Sequence, residues 1–204
     1  MNNNQMKKYT RNLFSNELDK FNSSMQIEFY TILEKGCIYI PEYICKKKDK
    51  TIYNLLLKEI SEHSNENDMI DWSKHHKYEN PQFLPTFNKI VEQLSKDYNI
   101  KVLQTRLNYY IDSNDWKPFH HDRHAYYDGN LEQKENYTLG VSFGYSRDLV
   151  FLHEKSGKKF RFPQDNGDIF GFDSDVNKLF MHGVPKSNRK VGPRFSIIIW
   201  GIKN

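Results

Sequence analysis

Nothing in this 204-residue chain is long and apolar enough to cross a bilayer as a helix. The best run, Phe195-Ser196-Ile197-Ile198-Ile199-Trp200, falls far short of the ~20 apolar residues a membrane helix needs. The opening, Met1-Asn2-Asn3-Asn4-Gln5, lacks the apolar segment of a secretion signal. These absences set the expectation of an intracellular protein, cytoplasmic or nuclear, that is neither secreted nor bound to a membrane. Cysteine is scarce: Cys37 and Cys45 stand alone, without metal-type spacing, and are expected to be reduced thiols. An excess of one charge is nearly absent too. Thirty Lys+Arg against 26 Asp+Glu leave +4, which permits an acidic partner without demanding one. Aromatics, by contrast, are plentiful: 14 Phe, 13 Tyr and 3 Trp exclude the composition of a disordered chain. The length suits one folded domain with a real core, expected to act as a monomer.

Residues 1–35 are polar and Asn-rich, with Leu13, Phe14, Leu18 and Phe21 at roughly helical spacing. They read as an N-terminal arm or helix, possibly flexible, preceding a single domain over 36–204. Cys37-Ile38-Tyr39-Ile40-Pro41 reads as a short strand stopped by proline. Two helices follow. Ile52, Leu55, Leu56 and Ile60 make an apolar stripe from Thr51 to about His63, and Phe87, Ile90, Val91, Leu94 and Tyr98 make another from about Pro85 to Tyr98. The polar stretch 64–84 between them reads as a loop. After residue 100 the pattern changes to short strands over 102–111, 137–144, 147–153, 158–162, 167–172, 177–182 and 194–201. Gly167-Asp168 reads as a hairpin turn. Helices followed by seven strands give an α+β chain whose second half is a sandwich or barrel.

The strand-rich half carries His120-His121-Asp122, and His182 lies 60 residues after Asp122. Two imidazoles and one carboxylate on one face of an octahedron are the ligand set of non-haem Fe(II) oxygenases, which leaves positions open for cosubstrate and dioxygen. An HxD pair suits a strand end, because residues i and i+2 project to the same side. Such a pair is common by chance, and a lone histidine is more often a satisfied core residue. The surroundings add weight. Arg194, 12 residues after His182, opens the last apolar strand, where a buried guanidinium can grip a carboxylate bidentately. Asn108 and Tyr110 face the same way on an earlier strand, with an amide and a phenol to offer as hydrogen-bonding groups.

In this order of motifs (Asn108-x-Tyr110, His120-x-Asp122, Gly167-Asp168, His182-Gly183-Val184, Arg194) the chain resembles the AlkB-like 2-oxoglutarate/Fe(II) dioxygenases. The resemblance covers roughly residues 37–202 and is sharp from 103 onward. It implies a double-stranded β-helix, or jelly roll, with flanking N-terminal helices. It also implies Fe(II) held by His120, Asp122 and His182, and 2-oxoglutarate held by Arg194 through its distal carboxylate and by Asn108 and Tyr110. The implied activity is oxidation with dioxygen, coupled to decarboxylation of 2-oxoglutarate to succinate. Two departures fall on the substrate side. Where the family carries a second arginine, six residues after the first, this chain has Trp200; where an acidic residue usually follows the metal aspartate, it has His124, preceded by Arg123. His124 and Arg123 are therefore the candidate substrate contacts.

Three functions remain open on the sequence. Oxidative dealkylation of N-alkyl groups on nucleic-acid bases fits the motif order, and the basic hairpin residues Lys155, Lys158, Lys159 and Arg161 offer a phosphate rim, although such tips are usually just solvated. Hydroxylation of a protein side chain or small molecule fits Trp200 and His124. A jelly-roll binding module without catalysis is the third. His75, His76 and His153 have no partner at useful spacing, His121 is expected to face away from the metal, and Trp200 reads as core.

Overall fold

The computed structural model describes residues 24–63, 74–122 and 135–204. The stretch 13–21 and the candidate substrate contacts Arg123 and His124 lie outside the described residues. The element order is α1 (Ser24–Gly36), β1 (Cys37–Ile40), α2 (Thr51–His63), β2 (His76–Glu79), α3 (Pro85–Tyr98), β3 (Ile100–Tyr110) and β4 (Lys117–His120). It continues with β5 (Tyr137–Gly144), β6 (Arg147–His153), β7 (Lys158–Gln164), β8 (Ile169–Asp173), α4 (Ser174–Leu179), β9 (Met181–Val184) and β10 (Arg194–Lys203). Helix α1 thus spans the expected boundary at residue 35.

Both expected helices are read correctly from their stripes. Leu56 and Ile60 of α2, and Phe87, Ile90, Leu94 and Tyr98 of α3, are buried. Pro85 opens α3, where its missing N–H would have had no intrahelical partner. Leu84 offers no capping side chain, so the Glu59 carboxylate does the work from α2, accepting the Thr86 backbone N–H at 3.1 Å. Asn99 ends the helix in the left-handed region with φ 50°, and its N–H turns back to Ser95 and Lys96 carbonyls.

The strands form two antiparallel sheets. The larger has the order β1-β8-β5-β10-β3-β2 and the smaller β4-β9-β6-β7. From β3 onward the chain changes sheet at nearly every connection, only β6 and β7 being neighbours in one sheet, which is the jelly-roll arrangement. Side chains of the large sheet alternate in allegiance. Leu107, Leu139, Val141, Phe143, Phe195, Ile197 and Ile199 face outward into a core shared with α2 and α3. A second core, built from Phe151, Phe160, Phe162, Phe170, Phe172 and Phe180, takes in Phe29 and Leu33 of α1. Cys37 and Cys45 are unpaired.

Three sequence expectations are corrected. The stretch 64–84 contains strand β2, a run of His-Lys-Tyr-Glu with no aliphatic alternation, which is held by pairing along β3 from His76↔Tyr109 to Glu79↔Arg106. The stretch 177–182 is a strand only from Met181, where β9 begins; its first half belongs to helix α4. Asp173 caps a helix there by accepting the Asp175 and Val176 N–H groups, and Val176, Leu179 and Phe180 lie at i, i+3 and i+4. Gly167-Asp168 is a turn but not a hairpin, since β7 and β8 belong to different sheets. Gly167 has φ +84°, and Asp168 is buried, accepting from the Tyr39 hydroxyl at 2.6 Å and from the backbone N–H groups of Glu42 and Asp165 at 2.9 Å.

Candidate metal centre and adjoining cavity

Strands β4 and β9 pair so that His120 lies opposite His182, with ring centroids 4.4 Å apart. Asp122 follows β4 by two residues and turns its Oδ1 toward both rings, 3.6 Å from His120 Nε2 and 3.5 Å from His182 Nε2. One ligand atom from each of the three residues falls within 4.8 Å of the others. His120 Nδ1 donates to the Pro118 carbonyl at 2.9 Å, which fixes the tautomer and leaves Nε2 with its lone pair. That Nε2 is buried and has no hydrogen-bond partner among the described residues. Burial brings the His120 imidazole down to about 4, so it is neutral and able to ligate at ordinary pH. Burial alone would raise the Asp122 carboxyl; His182, His120 and Lys117 outweigh it and hold the group well below the usual range. Two imidazoles and an ionised carboxylate, with the His120 Nε2 lone pair unpartnered among the described residues, fit a divalent iron.

The carboxylate is held on every side. Asp122 Oδ2 accepts from Thr138 Oγ1 at 3.0 Å and from Trp200 Nε1 at 2.9 Å. Its backbone is clamped by one amide: Asn177 Oδ1 accepts the Asp122 N–H at 2.9 Å, and Asn177 Nδ2 donates to the Asp122 carbonyl at 3.1 Å. His121, as expected, faces away from the metal ligands and hydrogen-bonds through Nδ1 to the Asn177 carbonyl. The first half of the segment read as a strand is therefore part of the helix that fixes the HxD turn, through Asn177. Trp200 is core by burial, yet it also lines the cavity and positions the Asp122 carboxylate.

That cavity is lined by Asp122, His182, Asn108, Tyr110, Arg194 and Trp200 among others. Register explains the grouping, because β10 places Arg194 opposite Tyr110, and Ser196 opposite Asn108. Arg194 is 3% exposed. Its Nε donates to Ser142 Oγ at 2.8 Å, its guanidinium sits 5.3 Å from the Tyr110 ring centre, and its buried Nη1 has no hydrogen-bond partner among the described residues. Burial pulls Arg194 down to about 10, which leaves it charged at neutral pH. A buried cation with a spare donor fits a carboxylate ligand.

Sequence reasoning missed His75, which had no partner at useful spacing. Its Nε2 donates to Asn108 Oδ1 at 3.0 Å, and its ring stacks on Tyr110 at 4.5 Å and 10°. Burial keeps His75 neutral, at about 4. The residue lies just before β2, and only the β2–β3 pairing shows that it reaches the cavity wall. Lys117 was missed as well, although it lines the cavity. His153 is packed against Phe29 and Phe180 and accounts for itself structurally. Of the basic hairpin, Arg161 pairs with Asp148 at 3.4 Å on the surface.

No family model matches the chain. A curated relative, the uncharacterized protein R406 of Acanthamoeba polyphaga mimivirus, is 28% identical over 116 residues, covering 56% of this chain and 58% of its own length. The chain's match thus spans little more than half of that relative. Among solved structures, OsALKBH1 superposes with TM-score 0.57 at 10% identity, over 81% of this chain and 96% of that one. A prolyl-4-hydroxylase of Pseudomonas putida gives 0.55 at 10% identity, over 83% and 93%. The viral collagen prolyl hydroxylase vCPH from Paramecium bursaria Chlorella virus-1, solved with 2OG, gives 0.51 at 12%, over 80% and 93%. The likeness is one of fold: this chain shares their jelly roll. No helix among the described residues is long and apolar enough to span a membrane.

Proposed function

We propose that this protein is a 2-oxoglutarate- and Fe(II)-dependent dioxygenase of AlkB-like type, acting by oxidative dealkylation on nucleic-acid bases. One observation carries the oxygenase reading. Two of the triad's side chains and a buried guanidinium with a spare donor open into the same cavity of a jelly roll. When bound, iron and 2-oxoglutarate together supply the oxidising power that turns a C–H bond into C–OH at the expense of dioxygen and one carboxyl group. His120, Asp122 and His182 would hold the iron, with Thr138, Trp200 and Asn177 keeping Asp122 in place. Arg194 would pair with the distal carboxylate of 2-oxoglutarate, and Tyr110 and Asn108 would flank it. Phe170, Phe172 and Leu149 line the cavity and limit water there.

The order Asn108-x-Tyr110, HxD, His182, Arg194 supports the nucleic-acid substrate. Hydroxylation of a protein side chain or small molecule is the second reading. It is favoured by Trp200, bonded to Asp122 where the AlkB-like pattern has an arginine, and by the prolyl hydroxylases among the structural neighbours. Anaerobic titration with Fe(II) and then 2-oxoglutarate tests the cofactors through the visible charge-transfer band, expected only with both present. No retained iron and no band would leave a non-catalytic binding module. Succinate release stimulated by methylated oligonucleotides, with salt-sensitive binding, is expected for the first substrate class. Stimulation by peptides or metabolites alone would move the assignment to the second.

A further inference from the structure

Lys117 opens strand β4 and lines the cavity together with Asp122, Asn108 and Arg194. Its register partner is Val184, two residues along β9 from the His182 that faces His120. Only two carboxylates act on it, those of Asp122 and Glu79, and both are committed elsewhere. Asp122 receives Thr138 and Trp200 on one oxygen and turns the other to the imidazoles. Glu79 holds Arg106 at 2.7 Å, and Arg106 in turn lies 4.9 Å over the Trp200 ring. The Lys117 ammonium has no hydrogen bond or ion pair among the described residues. A half-buried ammonium on a cavity wall, without a counter-ion of its own, is costly unless the cavity receives an anion.

The surroundings show which end of a dicarboxylate it would meet. The charged or polar groups around Arg194 are Ser142, Tyr110 and Arg147, whereas Lys117 acts on His120 and Asp122. The two cations therefore serve different ends of the cavity. Position 200, where the AlkB-like pattern puts its second arginine, is filled by an indole that donates to Asp122 and carries no charge. We infer that Lys117 binds the metal-proximal carboxylate of 2-oxoglutarate, supplying from strand β4 the cation that Trp200 cannot supply from β10. This rests on the oxygenase reading and deepens it.

The test compares 2-oxoglutarate with 2-oxovalerate, which keeps the keto-acid end and lacks the distal carboxylate. Binding of each to the Fe(II)-loaded protein is measured anaerobically by calorimetry in wild type, Lys117→Met, Lys117→Gln, Lys117→Arg and Arg194→Met. Lys117→Met and Lys117→Gln are expected to weaken both ligands by the same factor, about tenfold or more, with iron stoichiometry unchanged. Lys117→Arg is expected to restore binding of both. Arg194→Met is expected to weaken 2-oxoglutarate and leave 2-oxovalerate as in wild type. Should the neutral Lys117 variants bind both ligands normally, or lose only 2-oxoglutarate, the assignment of Lys117 is overturned while the oxygenase reading stands. A wild-type protein that holds iron but binds neither keto acid overturns both. The Gln variant keeps the measurement available if Met at this position disturbs folding.

Discussion

The two faces of the large sheet come from the same strands and do opposite things. Facing out, Leu107, Leu139, Val141, Phe143, Phe195, Ile197 and Ile199 are all but fully buried against helices and carry no polar side-chain atom. Facing in, the alternate positions of β3, β5 and β10 include Asn108, Tyr110, Thr138, Ser142, Arg194, Ser196 and Trp200, buried almost as deeply but polar or charged, beside the apolar Ile198 and, on β8, Phe170 and Phe172. Burying apolar area stabilises the fold at about 25 cal/mol per Å². Burying amides, hydroxyls and a guanidinium costs free energy unless each finds a partner. The outer face therefore supplies the stability that lets the inner face hold Arg194 Nη1 without a hydrogen-bond partner among the described residues. Stability and chemistry are separated by one residue along β10.

Substitutions on the two sides should fail differently, and the largest effect belongs to the metal. His182→Ala removes one of three ligands and should abolish stoichiometric iron binding, with the thermal midpoint of the metal-free protein little changed. Retention of iron by that variant would remove the triad as the metal site. On the outer face, Ile197→Ala leaves a cavity in a site with no exposure and should cost about 2–5 kcal/mol in urea unfolding. Iron bound per folded molecule should be untouched. A drop in iron affinity of the folded Ile197 variant would show that the two faces are coupled.

The fold was legible wherever one periodicity ruled. Both helices and the strands from β5 to β7 follow stripes or alternations that the residues display. Strand β2 was hidden because a four-residue edge strand of His-Lys-Tyr-Glu shows no aliphatic alternation, so Lys77 and Glu79 look like loop. Helix α4 was hidden by its brevity. The triad and Arg194 could be picked out because their spacing carries chemistry. Their supports could not: Asn177, Thr138 and His75 are tied to Asp122 and Asn108 by hydrogen bonds spanning 16 to 55 residues, and only strand register brings them together. Trp200 was half legible, since its burial follows from its strand while its bond to Asp122 does not.

A smaller effect than losing a ligand is expected at the far end of the inner face. Arg194→Met should leave iron bound and weaken 2-oxoglutarate by about 10–100-fold, the range expected for losing a charge-assisted pair. Stability should hold or rise, because a buried, partly unsatisfied cation is replaced by an apolar side chain of similar length. Equal 2-oxoglutarate affinity in the variant would move the anchor elsewhere on the cavity wall.

The smallest effect is expected at a residue that belongs to the inner face by contact and to no strand. His75 is stacked on Tyr110 and donates to Asn108, and burial holds its imidazole at about 4 instead of the ordinary 6.5. Between these values the unfolded chain binds a proton that the folded chain refuses, so His75 subtracts stability as the pH falls through that window. His75→Phe keeps a ring against Tyr110 and removes both the hydrogen bond and the titration. At pH 7 the metal-free variant should be less stable than wild type by about 1 kcal/mol, the worth of the lost bond. By pH 5 wild type alone bears a proton penalty of about 2 kcal/mol, so the gap should close and reverse. Urea midpoints at the two pH values read the difference. A gap that stays constant would mean that His75 is charged in the fold, and that the cavity wall beside Asn108 is more polar than its burial indicates.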